Sequence, residues 1–122
     1  MRFLFACGGT AGHINPAVGV AGRLRELVPA CEILFIGAEG RMETELVPRA
    51  GFEIRSIRIS SLSRSLSAEG VRHNLRAARD LVSAMPAARK ILRDFAPDAV
   101  IGTGGYVCYP VLREASRLGI PT

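Results

Sequence analysis

Short unbroken apolar runs alternate along this chain with longer stretches in which apolar residues return every three or four positions. The run from Arg2 to Cys7, closed by Gly8-Gly9, predicts a strand covered on both faces. Beyond it, Pro16 in a first turn and the spacing Val20, Leu24, Leu27, Val28 predict an amphipathic helix that Pro29 ends. Ile33 to Ile36 reads as a second covered strand, Gly37 to Gly40 as a loop, and Met42 to Ala50 as a short helix stopped at Gly51. Phe52, Ile54, Ile57 and Ile59 alternate imperfectly and predict a third strand.

The serine-rich stretch from Ser60 to Ser67 predicts an exposed loop. Helical periodicity then covers residues 68–95, with Pro86 expected to kink it or divide it into two helices near Met85. Ala99 to Ile101 predicts a fourth strand, Gly102 to Gly105 a second glycine turn, and Tyr106 to Leu118 a fourth helix capped at Gly119. Ile120 to Thr122 reads as the start of a fifth strand, so residues 1–122 are expected to be one domain cut within that strand. Strands alternating with helices predict the α/β class, a Rossmann-like parallel sheet flanked by helices with right-handed crossovers.

Composition narrows the functional classes. A chain of 122 residues that is 48% hydrophobic can bury a core, which excludes intrinsic disorder. No apolar run nears the roughly 20 residues that span a bilayer, and the N-terminal run is too short for a secretory signal, so a cytoplasmic chain is expected. Cys7, Cys31 and Cys108 are widely spaced, with only His13 and His73 to join them, so no metal site is expected and each thiol reads as a small buried hydrophobe. The net charge of +5 is uneven, because residues 55–93 hold nine basic and two acidic groups. Such an island suits nucleic acid, anionic lipid or a phosphorylated substrate. The lack of tryptophan and scarcity of aromatics for base stacking argue against nucleic acid.

Both glycine turns follow a strand and precede a helix, which in a parallel sheet sets them at one end, facing one site. Gly8-Gly9-Thr10-Ala11-Gly12-His13 presents backbone N–H groups at the positive end of a helix, where phosphate binds. No lysine lies near either turn, which excludes a Walker loop, and a dinucleotide fingerprint would need glycine in place of Cys7 and Val107. His13 stands where the first turn meets its helix, placed to act either as a general base or as a hydrogen-bond donor to phosphate.

Gly8 to Ala17, Arg41-Met42-Glu43, Leu46-Val47-Pro48 and Ile101-Gly102-Thr103-Gly104-Gly105-Tyr106-Val107 together resemble the MurG family over the whole chain. These transferases move N-acetylglucosamine from UDP-GlcNAc onto a lipid-linked muramyl-pentapeptide in peptidoglycan synthesis, as peripheral proteins on the cytoplasmic face of the membrane. The resemblance implies a GT-B architecture of two Rossmann-like domains, of which this chain is most of the first, and no cofactor. It further implies that Gly9, Gly104, Gly105 and Tyr106 face the acceptor diphosphate, while Thr10, Ala11 and Gly12 touch the UDP-sugar. Most donor contacts are implied for a C-terminal domain, so the 122 residues alone are expected to be inactive. Ala11 stands where the family has glycine, and its methyl disfavours a positive φ. Cys108-Tyr109-Pro110 replaces Ser-Gly-Pro, with Cys108 read as a serine-sized filler.

Arg72, Arg76 and Arg79 share a helix face beside Val71, Leu75, Ala78 and Val82. By default such a stripe is core and its arginines are solvated. Leu62 and Leu66 around Arg64 shift the expectation toward docking on an anionic membrane, which also suits an acceptor with a lipid tail. The rival expectation is a non-catalytic GT-B half that recruits a separate catalytic subunit to the membrane.

Overall fold

The computed structural model describes residues 1–59 and 67–122. Four strands, β1 (Arg2–Cys7), β2 (Glu32–Ala38), β3 (Glu53–Ile57) and β4 (Ala99–Gly104), alternate with four helices, α1 (Ala11–Leu27), α2 (Glu43–Arg49), α3 (Ala68–Phe95) and α4 (Cys108–Arg117). All strand pairs are parallel and the order is β3-β2-β1-β4, with β1 paired on both sides. Successive side chains point to opposite faces, so each run of apolar residues fills two cores. Leu4, Ala6, Leu34 and Ile36 pack under α3 and α4; Phe5, Cys7 and Phe35 pack with Ile14, Ala17, Ala21 and Val47 of α1 and α2. There Phe5 and Phe35 stack with centroids 5.1 Å apart, and Phe52 tilts onto Phe35.

Helix α3 runs through Pro86 as a single helix of 28 residues, so of the two expectations, kink or division, Pro86 does not divide it. Pro86 is exposed, so the carbonyl that loses its partner faces water, which can replace the missing bond. The apolar stripe lies on the outside, not in the core that is the default for such a stripe: Val71, Leu75 and Val82 are 51%, 67% and 68% exposed, and Ala78 is exposed with them. The buried face is instead made of small residues, Gly70, Ala77, Ala84 and Ala88, ending at Leu92. Small residues let the helix lie close to its neighbours, and Leu81, Ile91 and Phe95 pack beside them while Val71, Leu75 and Val82 face solvent. Ser67 caps the helix, its Oγ accepting from Gly70 N at 3.1 Å, and Ala96 closes it in the left-handed conformation at φ +49.

The remaining differences are local. Residues 120–122 lie outside the sheet, although Val100 N donates to Pro121 O at 2.9 Å. Strand β4 continues through Gly102 and Thr103 to Gly104, leaving Gly105 to Val107 to make the turn. Ala11 is the first residue of α1 and has no positive φ, so its methyl is accommodated without strain. Between α3 and α4, buried Glu114 accepts two bonds from Arg89 at 2.9 and 3.3 Å, which hold its carboxyl below the usual range. Among the described residues no helix is long and apolar enough to cross a membrane.

Candidate functional site

The carboxyl ends of β1, β2 and β4 surround a cavity of about 260 Å³ lined by Gly8, Gly9, Thr10, His13, Arg41, Glu43, Ile59, Gly105 and Tyr106, among others. The two glycine turns therefore meet, as their shared position after parallel strands requires. Gly8 N donates to Gly104 O at 3.2 Å, tying one turn to the other. The pairing of β1 with β4 slips by a residue between Ala6 and Cys7, which leaves Thr103 bulged out of the ladder. Its Oγ1 then donates to His13 O at 2.6 Å and fastens the first turn of α1 to β4.

His13 is half-buried, and its Nδ1 lies 2.9 Å from Gly8 O. A carbonyl only accepts, so in this bond Nδ1 carries the proton and Nε2 is left to accept one in the neutral ring. Gly104 and Gly105 are glycine for steric reasons as well as for their φ of +132 and +100. A Cβ on Gly104 would run into the His13 ring, and one on Gly105 would run into Gly8 O.

The electrostatics favour an anion. Thr10 caps α1 and Val107 caps α4, both residues lining the cavity, and neither helix has an acidic residue in its first turn to offset its positive end. The Thr10 side chain makes no capping bond. Of the residues implied for ligand contact, Gly9, Thr10, Gly105 and Tyr106 line the cavity beside His13, while Gly104 backs the imidazole. Ala11 and Gly12 are exposed at the start of α1, outside the cavity wall. Gly9 N donates to Glu43 Oε1 at 3.4 Å, so that amide is turned toward Glu43.

Glu43 had a place in the motif but no role, and the structure puts it in the wall of the site with no solvent exposure. Its Oε2 accepts from Ala38 N at 3.4 Å. A Cβ on either Gly8 or Gly37 would collide with its side chain, so both glycines clear space for it. The readable signal was the spacing of Glu43 and Val47, both on the buried face of α2. The thiols behind the site are inert: burial, then the charge of Glu43 and the neighbouring Cys108, push Cys7 up to about 12. Burial also raises Cys108, whose Sγ donates to Ala6 O and Gly104 O as a filler.

The residues expected at a membrane fall in three places. Arg72 and Leu75 are exposed on α3, Leu75 within the apolar stripe and Arg72 beside it. Arg76 and Arg79 line an open cavity of about 790 Å³ with Arg58 and His73, and share Ile59 with the glycine-turn cavity as a common wall. Leu62, Arg64 and Leu66 lie outside the described residues.

The four-stranded parallel sheet flanked by helices matches the N-terminal half of GT-B glycosyltransferases. The chain belongs to the glycosyltransferase family 28 N-terminal domain, which it matches over residues 3–122, and within that family it is MurG-like. It is 49% identical over all 122 residues to the UDP-N-acetylglucosamine--N-acetylmuramyl-(pentapeptide) pyrophosphoryl-undecaprenol N-acetylglucosamine transferase of Alkaliphilus oremlandii, of which it covers 32%. The transferase of the same name from Porphyromonas gingivalis is also 49% identical, with 31% of its length covered. The chain thus spans about a third of the curated relatives it matches. Among solved structures it resembles Acinetobacter baumannii MurG, with a TM-score of 0.79 at 30% identity over 98% of this chain and 33% of that one. The calicheamicin glycosyltransferase CalG4 shares the fold, with a TM-score of 0.69 at 21% identity over 98% of this chain and 30% of that one.

Proposed function

We propose that this chain is the acceptor- and membrane-binding part of an enzyme that transfers N-acetylglucosamine from UDP-GlcNAc to a lipid-linked muramyl-pentapeptide in peptidoglycan synthesis. The observation that carries this reading is the convergence on one cavity of His13 and two helix N-termini with no acidic residue in their own first turns. In it the acceptor diphosphate lies against the turns at Gly9 and Gly104 to Tyr106, and Thr10, Ala11 and Gly12 meet the donor. His13 Nε2 takes the proton from the acceptor hydroxyl as that oxygen attacks the anomeric carbon. A separate C-terminal domain supplies most donor contacts, so this chain alone does not turn over. No cofactor takes part.

On the same reading, α3 lies against the cytoplasmic face of the membrane. Val71, Leu75 and Val82 enter the headgroup boundary while Arg72, Arg76 and Arg79 meet anionic lipid, with Leu62, Arg64 and Leu66 of the preceding segment. Co-sedimentation of the protein with anionic vesicles is expected to fall at high salt and in a Val71→Ser/Leu75→Ser/Val82→Ser variant. Binding indifferent to both would make the stripe a plain solvated face.

Titration with UDP and with a diphosphate-lipid analogue tests the cavity. The amide resonances of Gly9, Gly12, Gly104 and Gly105 are expected to shift together, and shifts confined to other regions would count against the site.

A further inference from the structure

The Gly8–Gly9 peptide unit is held at both ends. Its N–H, on Gly9, donates to Glu43 Oε1 at 3.4 Å, and its C=O, on Gly8, accepts from His13 Nδ1 at 2.9 Å. There is no cis peptide in the described chain, and in a trans unit these two groups point in opposite directions from one rigid plane. Carboxylate, peptide and imidazole therefore form one line of hydrogen bonds, in which each bond polarises the next. We propose that Glu43 is a positioning residue for His13 and acts through this single peptide, fixing the ring orientation and the Nδ1–H tautomer that leave Nε2 as the proton acceptor.

Three observations support the assignment. Glu43 is fully buried, yet among the described residues it has no ion-pair partner, and its carboxylate accepts from the backbone amides of Gly9 and Ala38. A buried carboxylate is costly unless its charge is well solvated by its surroundings, and here those surroundings are peptide dipoles, one of which leads to the site histidine. Gly8 and Gly37 both give up a side chain where Glu43 sits, so the fold is arranged around it. Gly105, in turn, leaves Gly8 O clear for His13, since a Cβ there would strike that oxygen. The arrangement resembles a carboxylate orienting a catalytic histidine directly, with one peptide group interposed. Glu43 also ties the β1–α1 turn to the end of β2 through Ala38, so the histidine is oriented relative to both walls of the cavity.

The inference rests on reading His13 as the base, and its test separates the two. Full-length enzyme labelled with ¹⁵N-histidine is compared as wild type, Glu43→Gln and Glu43→Asp by the Nδ1 and Nε2 shifts of His13 at neutral pH, together with kcat and KM per folded active site. The wild type is expected to show Nδ1–H. Glu43→Gln, which keeps the shape but loses the charge, is expected to mix in the Nε2–H form and lower kcat about tenfold, with KM for both substrates changed less than about twofold. Glu43→Asp keeps the charge but ends one methylene short of Gly9, and is expected to move both readouts in the same direction, so it carries the test if the glutamine variant does not fold. An Nε2–H wild type overturns the proposal. So does a variant that melts earlier while its histidine shifts and its kcat per folded site stay unchanged, the result expected of a purely structural residue. If His13→Ala leaves turnover intact, the base reading fails, while the histidine shifts still report whether Glu43 holds the ring.

Discussion

Replacing His13 by alanine is expected to lower kcat of the full-length enzyme by about a hundredfold or more, within the range that a positioned general base contributes. The expectation comes from the bond between Nδ1 and Gly8 O, which leaves Nε2 as the free acceptor of a half-buried ring at the cavity wall. KM should change little, since a base acts on a proton that moves in the transition state. Were the imidazole instead a hydrogen-bond donor to phosphate, the loss would fall mainly on KM for the acceptor. Unchanged kinetics would remove His13 from the site. Folding should survive, because the ring rests on Gly104 and lies outside both buried apolar clusters.

An equally large loss of turnover is expected from Gly105→Ala, although Gly105 has no side chain to contribute. Its φ of +100 is one that an alanine adopts only at a cost on the order of 1–3 kcal/mol. The new methyl would also meet the carbonyl of Gly8, which cannot move without disturbing its bond from His13 and the peptide that carries it. A displacement of about an ångström at a catalytic group can cost a hundredfold in rate. Gly119→Ala provides the control: at φ +73 with no atom within 4 Å of its Cβ, it suffers the backbone strain alone. Both variants should melt earlier, Gly119→Ala by the few degrees that backbone strain of about 1–2 kcal/mol shifts a domain of this size and Gly105→Ala by more, since it adds the collision. Only Gly105→Ala should lose turnover. Equal kinetics for the two would mean that the Gly8 carbonyl has no bearing on catalysis.

The parts of this fold that were legible in the sequence are those in which large apolar side chains carry the signal. β1 and β2 are covered on both faces, and their unbroken runs admit no other reading in a chain of this size. The meeting of the glycine turns followed from topology, since each ends a strand and opens a helix. The inward face of α3 is less legible because it is built largely from Ala77, Ala84 and Ala88, too small to dominate a periodicity, while Val71, Leu75 and Val82 mark the outer face. Glu43 escaped because an acid in a helix's first turn ordinarily complements the dipole at the surface. Nothing local to Glu43 indicates that two glycines, six residues and thirty-five residues before it, have made room for its carboxylate. The bulge at Thr103 was likewise hidden, because it depends on how β1 and β4 fall out of register and not on the residues of either strand alone.

The space that Gly8 and Gly37 leave for Glu43 also constrains how this chain can vary. These positions lie in the β1–α1 turn, in β2 and on α2, but they share one volume, so their substitutions cannot be independent. A side chain at Gly8 or Gly37 is admissible only where the residue at 43 has been shortened, and a shortened residue at 43 opens a void that a methyl at Gly8 or Gly37 could refill. The three sites form an epistatic unit in which a double change can be milder than either single one. A refilled void would restore packing without restoring the carboxylate, so stability could recover along that route while the hold on the histidine did not.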